Sequence, residues 1–198
     1  MKSISISGQA RTTLGGKQSR SERREGSIPA VLYGGDENIH FTTTPKVVKD
    51  LVYTPDFKVV DLDLDGTSYR CILKDLQMHP VSEKILHMDF LQLVDGKKVK
   101  LEVPVRFRGV SPGVKLGGKL QQNLRRVKVK TTPEHMVDEV YVDISSLELG
   151  EAVRVRDIDP VEHVEITNAP ATPVATVEIP RALRSAAAAD TKAAAAEK

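Results

Sequence analysis

Val60-Asp-Leu-Asp-Leu-Asp-Gly66 restricts this chain more than any other stretch of it. Apolar and acidic residues alternate without a break, the period-two pattern of a strand with one buried face. Asp65-Gly66 then supplies the two residues that best tolerate the positive φ angles of a tight hairpin. Ser68–Leu76 is the expected partner strand, closed by Pro80. A lone hairpin is marginal in water, so other strands must cover its apolar face.

Those strands can be read on both sides. Ser3-Ile-Ser-Ile-Ser7 alternates, and Gly15-Gly16 later breaks the segment. Ile28-Pro-Ala-Val-Leu-Tyr33 is an apolar strand that ends in the turn Gly34-Gly35, with His40–Thr43 as its partner. Two short helices interrupt the series. Ser19–Glu25 has Ser19 at the N-cap, Glu22 three residues on and Gly26 as its stop. It is so charged that it has almost no core face, and must be held by its flanks or exist to touch something. The second helix starts at Thr44-Pro45, places Val47, Val48, Leu51 and Val52 at helical spacing, and ends before Pro55. Ile85–Val94 is a further strand, which Asp95-Gly96 turns into Lys97–Phe107.

Many short strands with two short helices predict a mainly β protein, its first domain (residues 1–94) a small closed or partly closed β-barrel. A second β-rich domain is expected over residues 95–180. Its strands are read at Leu101–Phe107, Val127–Lys130, Glu139–Asp143, Ala152–Arg156, Glu162–Ile166 and Pro173–Ile179. Gly109–Gly118 reads as a mobile loop or binding arm, and Ser145–Gly150 as one capped helical turn. Residues 181–198 are Ala-rich and read as a disordered tail.

The 198 residues carry one cysteine, Cys71, so a disulfide framework and a multi-cysteine zinc site are excluded. No apolar run approaches the roughly 20 residues of a membrane span, and the N-terminus has no apolar leader block. The expected setting is the reducing cytoplasm. Cys71 lies inside a strand pattern and reads as a small buried residue rather than a nucleophile. No Gly-x-Ser-x-Gly elbow and no phosphate loop of the Gly-x-x-x-x-Gly-Lys-Ser/Thr type occurs. His79, His87 and Asp89 could in principle ligate a metal, but their spacing matches no zinc motif. A hydrolase built on His87 and Asp89 would need a concave pocket that the sequence does not reveal. The expectation is a protein that is not an enzyme and has no cofactor and no metal of its own.

Charge is segregated although the net value is only +2. Residues 96–132 hold 11 basic side chains against Glu102 alone, whereas residues 133–198 hold 6 basic against 13 acidic. Arg11–Arg24 gathers Arg11, Lys17, Arg20, Arg23 and Arg24 against Glu22, interleaved with Gln18 and Ser19. Arginine and lysine neutralise phosphates, while Gln and Ser can bond base edges or the ribose hydroxyl. Tyr33 offers a ring for stacking or a phenol for a phosphate. His87 and Asp89 share one face of their strand, with Met88 and Phe90 on the core side. Beside phosphates Asp89 can only contribute specificity, by accepting bonds from base amino groups. No recognition-helix or basic-zipper pattern is present, so RNA is the expected partner rather than DNA, and no membrane is expected. A rival reading is a stress-related protein-interaction adaptor, motivated by the acidic end of the second domain and the Ala-rich tail.

Four segments are familiar in their order: Gly16-Lys-Gln-Ser-Arg20, Ile28-Pro-Ala-Val-Leu-Tyr-Gly-Gly35, Lys74-Asp-Leu-Gln-Met-His-Pro80 and His87-Met-Asp-Phe90. The chain resembles the bacterial large-subunit ribosomal proteins that bind 5S rRNA, the L25 family, in its long two-domain form of the general stress protein Ctc type. Asp143-Ile-Ser-Ser-Leu-Glu-Leu-Gly-Glu151 resembles that form's second domain. The resemblance implies a barrel that sits on loop E of 5S rRNA and reads its widened minor groove. It carries binding roles to Arg11, Lys17, Gln18, Ser19, Arg20, Arg23, Tyr33, His79, His87 and Asp89. Many members have consecutive basic residues after the motif serine, whereas here Ser21 and Glu22 follow Arg20. Arg24, with Arg23, can compensate one turn later. Met78 stands where a basic or polar residue is common. The second domain implies further contacts with 23S rRNA and neighbouring ribosomal proteins, in the large subunit of the cytoplasmic ribosome.

Overall fold

A computed structural model describes residues 2–181. The chain forms two compact units, Met1–Leu101 with Lys130–Asp138, and Glu102–Val129 with the chain from Glu139 onward. The fold is mainly β, as expected. The Ala-rich stretch from residue 182 lies outside the described residues.

The first unit is built on β1 (Ser3–Ala10), α1 (Gly16–Arg24), β2 (Ile28–Tyr33), β3 (Ile39–Thr43), α2 (Pro45–Val52), β4 (Val59–Leu64), β5 (Thr67–Met78) and β6 (Ile85–Gln92). The six strands close into a barrel in the order β1-β3-β2-β6-β5-β4. Asp65 and Gly66 take φ angles of 51° and 89°, so the β4–β5 turn has the positive φ values that its Asp-Gly sequence foretells. β2 pairs antiparallel with β3 and parallel with β6. Closure comes from β1 running parallel to β4, Ser3 opposite Val59 through to Gly8 opposite Leu64.

Alternation fills the barrel. Ile6, Ala30, Leu32, Phe41, Leu62, Leu64, Met88 and Phe90 are buried together, and Val48 and Leu51 of α2 join them. The Phe41 and Phe90 rings meet at 5.7 Å between centroids. Burying side chains of this size stabilises by about 1.5–3 kcal/mol each. Cys71 is fully buried in the same core, which accounts for its place in a strand pattern.

β5 departs from simple alternation. Its register against β6 shifts between Leu73 and Asp75. Leu73 and Leu76, three residues apart, therefore both pack against the core, and Asp75 is left exposed.

The second unit follows with β7 (Val99–Arg108), α3 (Pro112–Lys115), β8 (Lys119–Gln122), β9 (Arg126–Thr131), β10 (Val140–Asp143), β11 (Ala152–Arg154), β12 (Glu165–Ile166) and β13 (Pro173–Glu178). They form a four-stranded sheet, β10-β7-β9-β12, and a three-stranded sheet, β11-β13-β8. Val103, Val105, Val127, Val140, Val142, Val174 and Val177 are buried.

Several local expectations are corrected here. The Asp95-Gly96 turn forms, with Lys97 N–H donating to the Val94 carbonyl at 3.2 Å, but β7 does not pair with β6. Both edges of β6 are already taken by β2 and β5, so β7 joins β10 instead. Gly109–Gly118 is not an open arm. Its middle, Pro112–Lys115, folds as α3, with the Ser111 hydroxyl buried and donating to the Leu147 carbonyl. A Cβ at Gly113 would lie 2.7 Å from the Glu148 backbone, so this glycine serves close packing rather than mobility. Ser145–Gly150 is a run of turns and not a helical turn. Asp143 Oδ1 accepts from Ser145 N–H at 2.8 Å, a local bond that competes with helix. The expected strand at Ala152–Arg156 gives way to a 3-10 turn at Val155–Asp157, the one at Glu162–Ile166 shrinks to Glu165–Ile166, and β8 went unread.

Candidate nucleic-acid interface

α1 begins three residues before the capping serine read from the sequence. Gly15, at φ 129°, is its N-cap, and Ser19 lies inside the helix. The Ser19 hydroxyl donates back to the Gly15 carbonyl at 3.1 Å. Glycine is required at that cap because an L side chain rarely adopts such a φ. No residue of α1 is buried, so the helix is not held by an apolar stripe.

Helical spacing sorts its side chains onto two faces. Ser19, Glu22 and Arg23 share one, and all three are half-buried. Arg11, just beyond β1, sends Nε to Glu22 Oε1 and Nη2 to Glu22 Oε2, each at 3.0 Å, and donates from Nη2 to Ser19 Oγ at 3.1 Å. The Arg11 and Glu22 side chains are only 8% and 12% exposed. Arg23 Nη1 donates to the Leu86 carbonyl on β6 at 3.1 Å. The other face carries Lys17, Arg20 and Arg24, all exposed. Together with Gln18, Ser21 and the Thr13–Gly16 bend they line a shallow, open hollow.

The outer surface of β2 and β6 continues from where Arg23 is anchored. Alternation buries Met88 and Phe90 and leaves His87 and Asp89 facing out. His87 Nδ1 and Asp89 Oδ1 are 2.6 Å apart, a contact that fixes the imidazole's orientation and leaves Nε2 as its outward nitrogen. Tyr33 ends β2 on the same face. Burial raises its phenol above the ordinary value, and the Asp89 and Asp75 charges add to the rise. The phenol therefore stays protonated and can donate. Gly34 follows at φ 99°, where a Cβ would meet Leu91 at 2.6 Å.

His79 stands apart from this face, at the turn between β5 and β6. Its Nδ1 accepts from the Val81 and Ser82 N–H groups, each at 3.2 Å. Nδ1 is thus occupied in holding the turn.

The structure thus groups the eleven candidates in three ways. Lys17, Gln18, Arg20 and Arg24 are exposed on or beside the cationic face. Arg11, Ser19 and Arg23 hold the helix against the barrel. Tyr33, His87 and Asp89 form a polar patch on β2 and β6, with His79 on the adjoining turn. Two residues on this surface went unread. Asp75 lies opposite Asp89, and Gln77 opposite His87. Regular alternation from Cys71 and Leu73 would have turned both inward, and the bulge after Leu73 turns them out. The only signal available was the pair Leu73 and Leu76, which cannot both face inward on a regular strand.

The chain that carries this surface matches known proteins along almost its whole length. Residues 6–90 match the model of the ribosomal L25p family, and residues 98–181 match that of the C-terminal domain of ribosomal protein TL5. The chain belongs to the ribosomal L25p family. Among similar members is the large ribosomal subunit protein bL25 of Amoebophilus asiaticus, 45% identical over 188 residues, which covers 95% of each chain. That of Cytophaga hutchinsonii is 43% identical over 192 residues, covering 97% of this chain and all of the relative. That of Bacteroides thetaiotaomicron is 43% identical over 194 residues, covering 96% and 98%. L25p proteins are structural constituents of the bacterial ribosome, and the family is in general not enzymatic.

Proposed function

We propose that this L25p chain binds 5S rRNA in the large ribosomal subunit, with its barrel on the loop E region and its second unit on 23S rRNA and neighbouring ribosomal proteins. One observation carries the reading: a helix with no buried residue is fixed to a closed barrel with its cationic face outward, beside a patch of hydrogen-bonding groups. Lys17, Arg20 and Arg24 supply affinity by neutralising phosphates. The barrel patch cannot act in that way, because Asp75 and Asp89 repel phosphate. It suits base edges and ribose hydroxyls instead, reached through a wide, shallow minor groove. Asp89 accepts from a base amino group, and the Tyr33 phenol donates.

The test is a titration of the full chain against a 5S rRNA fragment carrying loop E, beside a plain duplex of equal length, at two salt concentrations. Binding should be loop-selective and fall by roughly 0.7–0.9 log units per log unit of salt for each phosphate neutralised. Arg20→Ala should cost about 1–3 kcal/mol if Arg20 also meets a base edge. Equal weak binding to both RNAs would reduce the helix to a general electrostatic patch.

A further inference from the structure

We infer that Glu22 is a positioning residue for RNA binding: the one acid on α1 strengthens the interaction with an anionic partner because it docks the helix. This rests on the reading above. Simple electrostatics says the opposite, since a carboxylate among Lys17, Arg20, Arg23 and Arg24 should repel phosphate and be better absent.

Geometry decides against the simple view. The Glu22 carboxylate is 12% exposed and faces Arg11, not the hollow. Oε1 accepts a hydrogen bond from Arg11 Nε at 3.0 Å and Oε2 lies 3.0 Å from Nη2 as an ion-pair contact, so the guanidinium spends its charge on the pair. Arg11 is itself fixed, because its backbone N–H donates to the His40 carbonyl on β3 at 2.8 Å. The ion pair therefore ties the last turn of α1 to the rim of the barrel. The next residue, Arg23, makes a second tie to Leu86 on β6. α1 has no apolar side chain to dock and no fully buried residue, and a nine-residue helix is marginal without tertiary support.

Removing the carboxylate would leave the Arg11 guanidinium 8% exposed, without its counter-charge and with the Ser19 hydroxyl as its remaining partner on α1. A desolvated cation does not stay in place, so Arg11 turns to water and the helix loses its bracket. Lys17, Arg20 and Arg24 then no longer present one fixed cationic face. The variant has one more positive charge and meets fewer phosphates.

Glu22→Gln and Glu22→Ala in the full chain test this, the second because alanine is the better helix former. Two readouts are needed. In the free protein, amide exchange of residues 19–24 should quicken at least tenfold, while that of β2, β5 and β6 stays unchanged. Against the loop E fragment, both variants should bind at least tenfold more weakly. The salt dependence should also become shallower by the roughly 0.7–0.9 of at least one phosphate. Tighter or equal binding, an unchanged salt slope, or unchanged exchange in α1 would overturn the inference. If wild type itself fails to prefer loop E, the 5S reading fails, while the exchange experiment still judges the bracket.

Discussion

Cys71 gives the sharpest thermodynamic test of the barrel. Burial pushes its thiol from 9.0 up to about 12, with the Asp61 charge adding to the rise. In the folded state the thiol stays protonated throughout the mildly alkaline range. In the unfolded state it ionises above about 9. Between these values the unfolded chain binds fewer protons, so stability falls as pH rises. At pH 8 the effect is negligible. At pH 10 the unfolded state gains about 1.4 kcal/mol from the ionised thiol. Lysines and tyrosines titrate in the same range, so the comparison is with Cys71→Ala, which shares them. Urea unfolding of both proteins at pH 8 and pH 10, under reductant and followed by circular dichroism, isolates the thiol. The gap between wild type and variant should shift by about 1.4 kcal/mol in favour of the variant. A gap that does not move with pH would show that the thiol is not buried in the barrel. So would rapid labelling of Cys71 by a thiol reagent in the native protein at pH 8.

Gly113→Ala should destabilise the second unit by about 1–3 kcal/mol in a denaturant melt, because the clash is with backbone and outweighs the helix-propensity gain. Stabilisation would mean that the turn is as open as its glycines suggest. Asp89→Asn keeps the shape but removes the charge that orients His87. It should narrow the preference for loop E RNA over plain duplex, with duplex affinity unchanged or slightly raised. An undiminished preference would take Asp89 out of the recognition surface.

The barrel was legible because its signals are local and agree. Alternation in β4, the Asp-Gly turn, the Gly34-Gly35 turn and the Pro45 helix start each depend on a few adjacent residues. What failed were features set by distant partners. Nothing within Lys97–Phe107 says that β6 has no free edge. Nothing within Gly109–Gly118 reveals the Glu148 backbone against which Gly113 packs. On the binding side, the clustering of cations around α1 could be read from composition, and the outward pair His87 and Asp89 from spacing alone. Which charges on α1 face out and which hold it down did not. That depends on Arg11 and Leu86, which approach from other parts of the barrel.

The ties of α1 also set an order of events during synthesis. The basic segment is complete once Arg24 has been made, yet its anchor at Leu86 is 63 residues from Arg23 along the chain. β1 likewise closes the barrel only on β4, more than fifty residues downstream of it. A nascent or truncated chain therefore carries the charges that attract RNA without the frame that aims them. Attraction comes early and recognition late, so only a finished barrel can compete for a specific place on an assembling particle.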